Sequence, residues 1–274
     1  MLAAIPYFAP VSFPIGSWTL SLWEILAAVS FMVGLEIARA RGIRLGLDVR
    51  DIVDGAVVIV GMGFVGGHFL HVAAYNPHLI EEEGWLTLFK VWAGLSSTGG
   101  FLGAIVGAVL FYKVIRKRDF WVHADVIAFG FPFAWTIARL GCFSAHDHIG
   151  RPSDFFLAVD FPGGARHDLG LYEALWTAVI ALTFFLLARR PTRPGFFLAL
   201  FAAMYAPIRF LLDFLRNTDL DGADLRYAGL TPAQWIMIAL FVASLVLVAR
   251  LRGAPPQAPA QGGGPAAGAD TLAL

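Results

Sequence analysis

Two short stretches of this sequence carry side chains whose types and spacing could do chemistry. Between Ala138 and Arg151 an apolar run gives way to four ionisable residues within six positions: His146, Asp147, His148 and Arg151. An imidazole titrates near neutrality and a neighbouring carboxylate fixes its tautomer, so His146 or His148, oriented by Asp147, can serve as a general base. Cys142, His146 and His148 also read as zinc ligands, although a His-x-His pair needs a strand and no fourth ligand declares itself. Cys142 otherwise reads as a small buried apolar residue, because a reactive thiol needs an electropositive, exposed setting. The second stretch is Tyr205, Arg209, Asp213 and Arg216, at i, i+4, i+8 and i+11. That spacing lines one face of a helix. An Arg–Asp–Arg ladder suits a phosphate headgroup, since guanidinium forks match phosphate oxygens bidentately. It equally suits an ion-pair stripe that ties one helix to its neighbours.

A third group, Phe161-Pro162-Gly163-Gly164-Ala165-Arg166-His167-Asp168, marks a turn before Leu171-Tyr172-Glu173-Ala174. Glu173 there has a local explanation, as a negative charge at a helix N-terminus.

The elements that position these groups are membrane helices. Of 274 residues, 58% are hydrophobic and 15% charged, against roughly 45–50% and 25% in a soluble domain. The basic and acidic totals are equal at 20 each, which leaves no footprint for nucleic acid. One cysteine excludes an internal disulfide. The first fifteen residues lack Lys and Arg and carry Pro6, Pro10 and Pro14, so no cleavable signal peptide is expected. Stretches of about 20 apolar residues predict an all-α membrane protein of seven transmembrane helices, near 18–38, 52–74, 94–112, 122–142, 171–188, 195–216 and 231–250. The third opens on Gly94-Leu95-Ser96-Ser97-Thr98-Gly99-Gly100, which reads as irregular backbone before a helix from Phe101. Residues 143–170 read as a small outward-facing head between spans four and five. Residues 1–252 form one transmembrane domain, and 253–274 a disordered Gly/Ala/Pro-rich tail.

Thirteen of the twenty basic residues fall in one alternating set of connections: Arg39 to Arg50, Lys113 to Arg118, Arg189 to Arg193, and Arg250 with Arg252. The positive-inside rule makes that set cytoplasmic, the N-terminus outward and the C-terminus cytoplasmic. Arg139, Arg209 and Arg216 break the pattern. A charge at a span centre costs roughly 2.5–3.5 kcal/mol on insertion scales, so it is usually paired and functional; Arg216, near a span end, can instead snorkel.

Arg139-Leu140-Gly141-x-Phe143 through Gly150-Arg151, then Phe161-Pro162-Gly163-Gly164, Arg166-His167, Leu171-Tyr172-Glu173-Ala174 and Tyr205-x-x-x-Arg209-Phe210, in this order, resemble the prolipoprotein diacylglyceryl transferase family over roughly Trp18 to Arg250. The resemblance implies transfer of a diacylglyceryl group from phosphatidylglycerol to the lipobox cysteine of exported preprolipoproteins, at the outer face of the bacterial inner membrane. It implies no metal and no nucleotide cofactor. By position, Arg139 looks like the signature arginine, with Gly141, Phe143 and Gly150 its companions. Tyr205 and Arg209 look like the tyrosine and essential arginine of the penultimate span, and Asp213 stands where glutamate is usual. Trp92, Gly99 and Gly100 match the segment leading into the third span, so Thr98, Gly99, Gly100, Tyr205, Asp213 and Arg216 join Arg139 as expected substrate-binding residues. The family signature reads Gly-Arg-x-Gly-Asn-Phe-x-Asn-x-Glu-x-x-Gly; here Ala138, Cys142, Ala145 and Asp147 replace Gly, Asn, Asn and Glu. The family's His-Gly-Gly is Thr98-Gly99-Gly100, and Trp23 falls where a tyrosine is expected. With the histidine of that motif gone, the expected catalytic set is His146, His148, Asp147 and Arg209. An inactive lipid- or lipoprotein-binding scaffold is the alternative. A small transporter is a third reading, resting on Glu24, Glu36, His68 and His71.

Overall fold

The computed structural model of the chain describes residues 5–91, 93–220 and 223–252; the expected tail at 253–274 and Trp92 lie outside the described residues. The long helices are α1 (Leu22–Arg44), α2 (Val49–Leu70), α4 (Ser97–Val109), α5 (Phe120–Ala145), α6 (Leu169–Leu187), α7 (Phe196–Leu212) and α8 (Pro232–Leu251), with a short α3 (His78–Glu83) between α2 and α4. Among the described residues, six helical segments are long and apolar enough to cross a membrane: Val49–Tyr75, Ser97–Ile115, Phe120–Ala145, Leu169–Leu187, Phe196–Leu215 and Pro232–Leu251. The expected first span falls on α1, which is 23 residues long but carries Glu24, Glu36, Arg39, Arg41 and Arg44 and does not join those six.

Local chemistry sets the helix boundaries. Residues 18–21 are not helical: they form β3 (Trp18–Ser21), antiparallel to β2 (Ser12–Ile15). Ser21 then caps α1 through a capping box in which its backbone N–H donates to Glu24 Oε2 at 2.6 Å. The irregular backbone expected up to Gly100 stops earlier, at Ser96, whose Oγ accepts the Gly99 N–H at 3.3 Å and starts α4. The α-helix of α7 ends at Leu212, four residues before the expected end, and a 3-10 turn (Asp213–Leu215) follows.

α1 packs along α5, α2 along α4, α6 and α7 pack on α5 and on each other, and α8 packs along α7. Small residues permit the first two approaches, as they do in other membrane helices. A Cβ on Gly66 would lie 2.6 Å from the Gly99 carbonyl oxygen, and one on Gly34 would lie 2.8 Å from Ala134 Cβ. The core between α5, α6, α7 and α8 is aromatic and aliphatic: Phe129, Ile180, Phe184, Phe197, Phe201, Tyr205 and Met237.

The head between α5 and α6 is a β-sheet rather than helical. β4 (Ile149–Pro152), β5 (Val159–Phe161) and β6 (Gly164–Asp168) are antiparallel, and β1 (Ile5–Pro6) adds in parallel beside β5, giving the order β1-β5-β6-β4. The head therefore draws on the N-terminal segment as well as residues 143–170. It also reaches the end of α7, since Gly150 bridges to Arg216.

Three of the four polar groups that suggested a transport path are locally satisfied. Glu24 completes the capping box on Ser21, and Glu36 pairs with Arg39 at 2.6 Å. His68 places its two ring nitrogens 3.0 and 2.8 Å from the carbonyl oxygens of Gly94 and Thr87, pinning the segment between α2 and α4.

Candidate functional site

The site forms where the head-side ends of α5, α6 and α7 meet. Arg139 and Cys142 lie one turn apart on the last turns of α5. α5 ends at Ala145, and His146 adopts the left-handed region at φ 50°. The N–H groups of His146 and Asp147 return to the Cys142 carbonyl, so Asp147 and His148 fold back over the last turn of α5. Glu173 stands in the first turns of α6, Tyr205 and Arg209 lie on α7, and Asp213 is its C-cap.

Two arginines converge on one carboxylate. Arg139 (2% exposed) places Nε 3.1 Å from Glu173 Oε1, and Arg209 places Nε 3.6 Å from Oε2. Glu173 (3% exposed) also accepts the indole N–H of Trp135 at 2.9 Å and the phenol of Tyr205. The first contact is close enough for charge attraction, but it is not directed along an N–H. Arg139 Nε and Nη2 are consequently buried without a hydrogen-bond partner, although an unmade bond of this kind is costly. The Arg139 guanidinium lies over the Trp135 ring, 4.6 Å from its centroid. Arg209 Nη1 donates to Asp213 Oδ1 at 2.5 Å, and Asp213 also accepts the Thr231 hydroxyl, which ties α7 to the start of α8.

The expected four-residue ladder is cut short. With the α-helix ended at Leu212, Arg216 takes extended backbone at φ −61°, ψ 149° and pairs with Asp224 at 2.5 Å instead of stacking on Asp213. It remains beside His148, whose proton affinity it helps to depress.

His146 and His148 have different surroundings, and Asp147 orients only one of them. His146 is buried, with Nδ1 2.8 Å from Asp168 and Nε2 3.1 Å from the Phe8 carbonyl oxygen. Tyr7, Phe8, Phe143 and Phe161 surround its ring. Both nitrogens are used in fastening the N-terminal segment and head to α5, which leaves no lone pair for a substrate. Burial raises the Asp168 carboxyl above its usual range, against the opposing effect of His146.

His148 is half-buried. Its Nδ1 hydrogen-bonds the Asp147 carboxylate, and Nε2 lies 3.2 Å from Arg139 Nη1. Arginine has only N–H donors, so Nε2 must carry the lone pair and Nδ1 the proton. Burial lowers the His148 proton affinity, Arg139 and Arg216 lower it further, and Asp147 opposes them. The result is a neutral imidazole with a basic nitrogen. Burial works to raise Asp147, but its hydrogen bond with His148 prevails and holds the carboxyl below the usual carboxylate range.

Thr98 is buried, 3.4 Å through its hydroxyl from the phenol of Tyr75, a residue that sequence reasoning missed. Tyr75 ends a π-helical turn (His71–Tyr75) that continues α2; such turns recur at functional sites. Gly99 is a packing residue, since a Cβ there would lie 2.6 Å from Leu70 Cβ. Gly100 has more room, 3.7 Å from the Gly63 carbonyl oxygen.

Ligand-type atoms of Cys142, Asp147 and His148 lie within 4.8 Å of one another, so the zinc reading changes its set from His146 to Asp147. That position already has a cation of the protein's own: Arg139 Nη1 stands 3.4 Å from Cys142 Sγ as well as 3.2 Å from His148. A metal ion there would have to displace it, so these residues fit a guanidinium better than a metal. On the outer side of α6 and α7 an apolar groove of about 460 Å³ is lined by Phe155, Tyr172, Trp176, Val179, Ile208 and Leu212.

Comparisons with known proteins bear on the family of the chain. The family model described as Prolipoprotein diacylglyceryl transferase matches residues 10–250. The chain is 33% identical over 226 residues to the phosphatidylglycerol–prolipoprotein diacylglyceryl transferase of Mannheimia succiniciproducens, across 79% of this chain and 82% of that one. It is 34% identical over 223 residues to the Vibrio parahaemolyticus protein of the same name, across 78% and 80%. The Chromohalobacter salexigens protein of that name is 29% identical over 257 residues, 91% of this chain and 95% of that one. A match of that extent, on a helical chain with six membrane-length segments, identifies a multi-pass membrane protein that belongs to the prolipoprotein diacylglyceryl transferase family.

Proposed function

We propose that this transferase moves the diacylglyceryl group of phosphatidylglycerol to the lipobox cysteine thiol of preprolipoproteins. The observation that carries the reading is the pair of buried arginines on Glu173, one with two unpartnered nitrogens, in a chain whose relatives bear that activity in their names. Arg139 and Arg209 bind the lipid phosphate, with Tyr205 and Asp213 holding their geometry through Glu173 and Thr231. Arg216, beside His148, and Thr98 and Gly100, on the first turn of α4, complete the proposed substrate-binding set. A phosphate that draws Arg139 toward itself exposes the Nε2 lone pair of His148. His148, oriented by Asp147, then takes the proton of the acceptor thiol. The thiolate attacks the glycerol carbon that bears phosphate, a C–S bond forms, and glycerol phosphate leaves with its charge stabilised by the arginines. The apolar groove beside Trp176 and Ile208 accommodates an acyl chain.

The distribution of charge supports a location. The thirteen basic residues of the connections at 39–50, 113–118, 189–193 and 250–252 flank the bundle end opposite the head. This supports an outward head and N-terminus and a cytoplasmic C-terminus, in the bacterial inner membrane. α1, about 34 Å long at 1.5 Å per residue, is the seventh span.

Purified protein in detergent, given phosphatidylglycerol and a lipobox peptide, should yield the thioether peptide by mass spectrometry. Loss of lipid binding without Arg139 or Arg209, together with no thioether from the unmodified protein, would leave an inactive lipid-binding scaffold. Lipid binding indifferent to both arginines would overturn the clamp.

A further inference from the structure

Cys142 has a setting that its sequence neighbours do not suggest. It is only partly buried, its sulfur accepts an Arg139 N–H at 3.4 Å, and it shares a 4.8 Å cluster with the oriented imidazole of His148 and the Asp147 carboxylate. A nucleophile, a base and a group that orients the base, beside a cation, are the parts of a covalent acyl-transfer site. Arg139 stands against both sulfur and Nε2, and its two unpartnered nitrogens call for an anion. Once a phosphate claims the guanidinium, Nε2 is free to take the thiol proton.

We infer that Cys142, His148 and Asp147 form a second catalytic set that cleaves a carboxylic ester of the glycerophospholipid bound at Arg139. The inference rests on the phosphate-binding part of the proposed function, but not on thioether transfer. His148 Nε2 accepts the Cys142 proton, and sulfur attacks the ester carbonyl carbon. The tetrahedral intermediate collapses with loss of the C–O ester bond, and the imidazolium returns its proton to the departing glycerol oxygen. A lysophospholipid leaves and an acyl thioester remains on Cys142. Water, deprotonated by the same imidazole, hydrolyses it to a fatty acid and restores the thiol. No oxidant or reductant is needed.

The test uses the full-length protein in detergent with phosphatidylglycerol and no acceptor peptide. Lysophosphatidylglycerol and fatty acid should appear together. An acid quench should trap an acyl adduct on Cys142, the chain's one cysteine, that neutral hydroxylamine removes. Cys142→Ser should abolish the adduct and the lysolipid while leaving thioether transfer to a lipobox peptide unchanged. His148→Gln should slow lysolipid formation by about 10²–10⁴-fold. A protein that lipidates the peptide but forms neither adduct nor lysolipid overturns this inference and leaves the transferase reading standing. Lysolipid formed equally by Cys142→Ser overturns it too. Lipid binding that ignores Arg139→Gln removes the shared premise, and both readings fall together.

Discussion

Replacing Glu173 by Gln tests whether the two arginines depend on a single buried charge. The amide keeps the volume and can still accept from Trp135 and Tyr205, but it leaves Arg139 and Arg209 facing each other with no carboxylate between them. Glu173 is almost fully buried and lies 3.1 and 3.6 Å from the two guanidinium groups. Removing one partner of a buried ion pair costs about 3–5 kcal/mol, because the remaining charge is uncompensated. Arg209 keeps Asp213, so the loss falls mainly on Arg139. At ~2–4 °C per kcal/mol for chains of 150–250 residues, the unfolding midpoint should drop on the order of 10 °C. An anionic lipid phosphate supplies the missing negative charge, so phosphatidylglycerol should stabilise Glu173→Gln more than it stabilises the unmodified protein. Tryptophan fluorescence during heating in detergent, with and without the lipid, reads both quantities. A midpoint unchanged within about 1 °C, or equal lipid stabilisation of the two proteins, would refute the central role given to this carboxylate.

Arg209→Lys keeps the charge but loses the guanidinium fork, and should lower thioether formation by about 10²–10³-fold in the peptide assay. The acid limb of kcat/KM should fall below the ordinary histidine value of about 6.5, because burial, Arg139 and Arg216 all favour neutral His148. Asp147→Asn removes the one opposing charge and should move that limb to still lower pH in a pH–rate series, whereas His148→Gln should remove the limb. Gly66→Ala should destabilise by roughly 1–3 kcal/mol, since its Cβ would meet the Gly99 carbonyl oxygen at 2.6 Å; Gly100→Ala, with 3.7 Å of room, should leave the thermal midpoint in place.

The helices were legible because hydropathy is local: each needs only its own apolar residues. The sheet of the head was not, because β1 has two residues and pairs with Val159 and Asp160, more than 150 positions away. No periodicity exists in a strand that short. The same distinction separates the two histidines. Both flank Asp147 in sequence, so spacing could not choose between them. The left-handed turn at His146 makes the choice, sending its ring into the aromatic cage with Asp168 and leaving His148 to Asp147.

Glu173 was visible in the sequence but had a sufficient local explanation as an acid in the first turns of a helix, and that explanation concealed its main role. A signal for that role was nevertheless present. Arg209 has an acid four residues ahead on its own helix, in Asp213, whereas Arg139 has none within three or four residues on either side. An arginine held inside an apolar span without a helical counter-charge must find one on another helix. Among the six membrane-length segments, α6 offers one acid near its head-side end, and it is Glu173. Helical spacing calls for a carboxylate to neutralise Arg139, whereas the three-dimensional contact leaves Nε and Nη2 of that arginine without a hydrogen-bond partner. In the proposed function those nitrogens, rather than the ion pair, are what a lipid phosphate would take up, because a fully satisfied arginine would have nothing left to offer it.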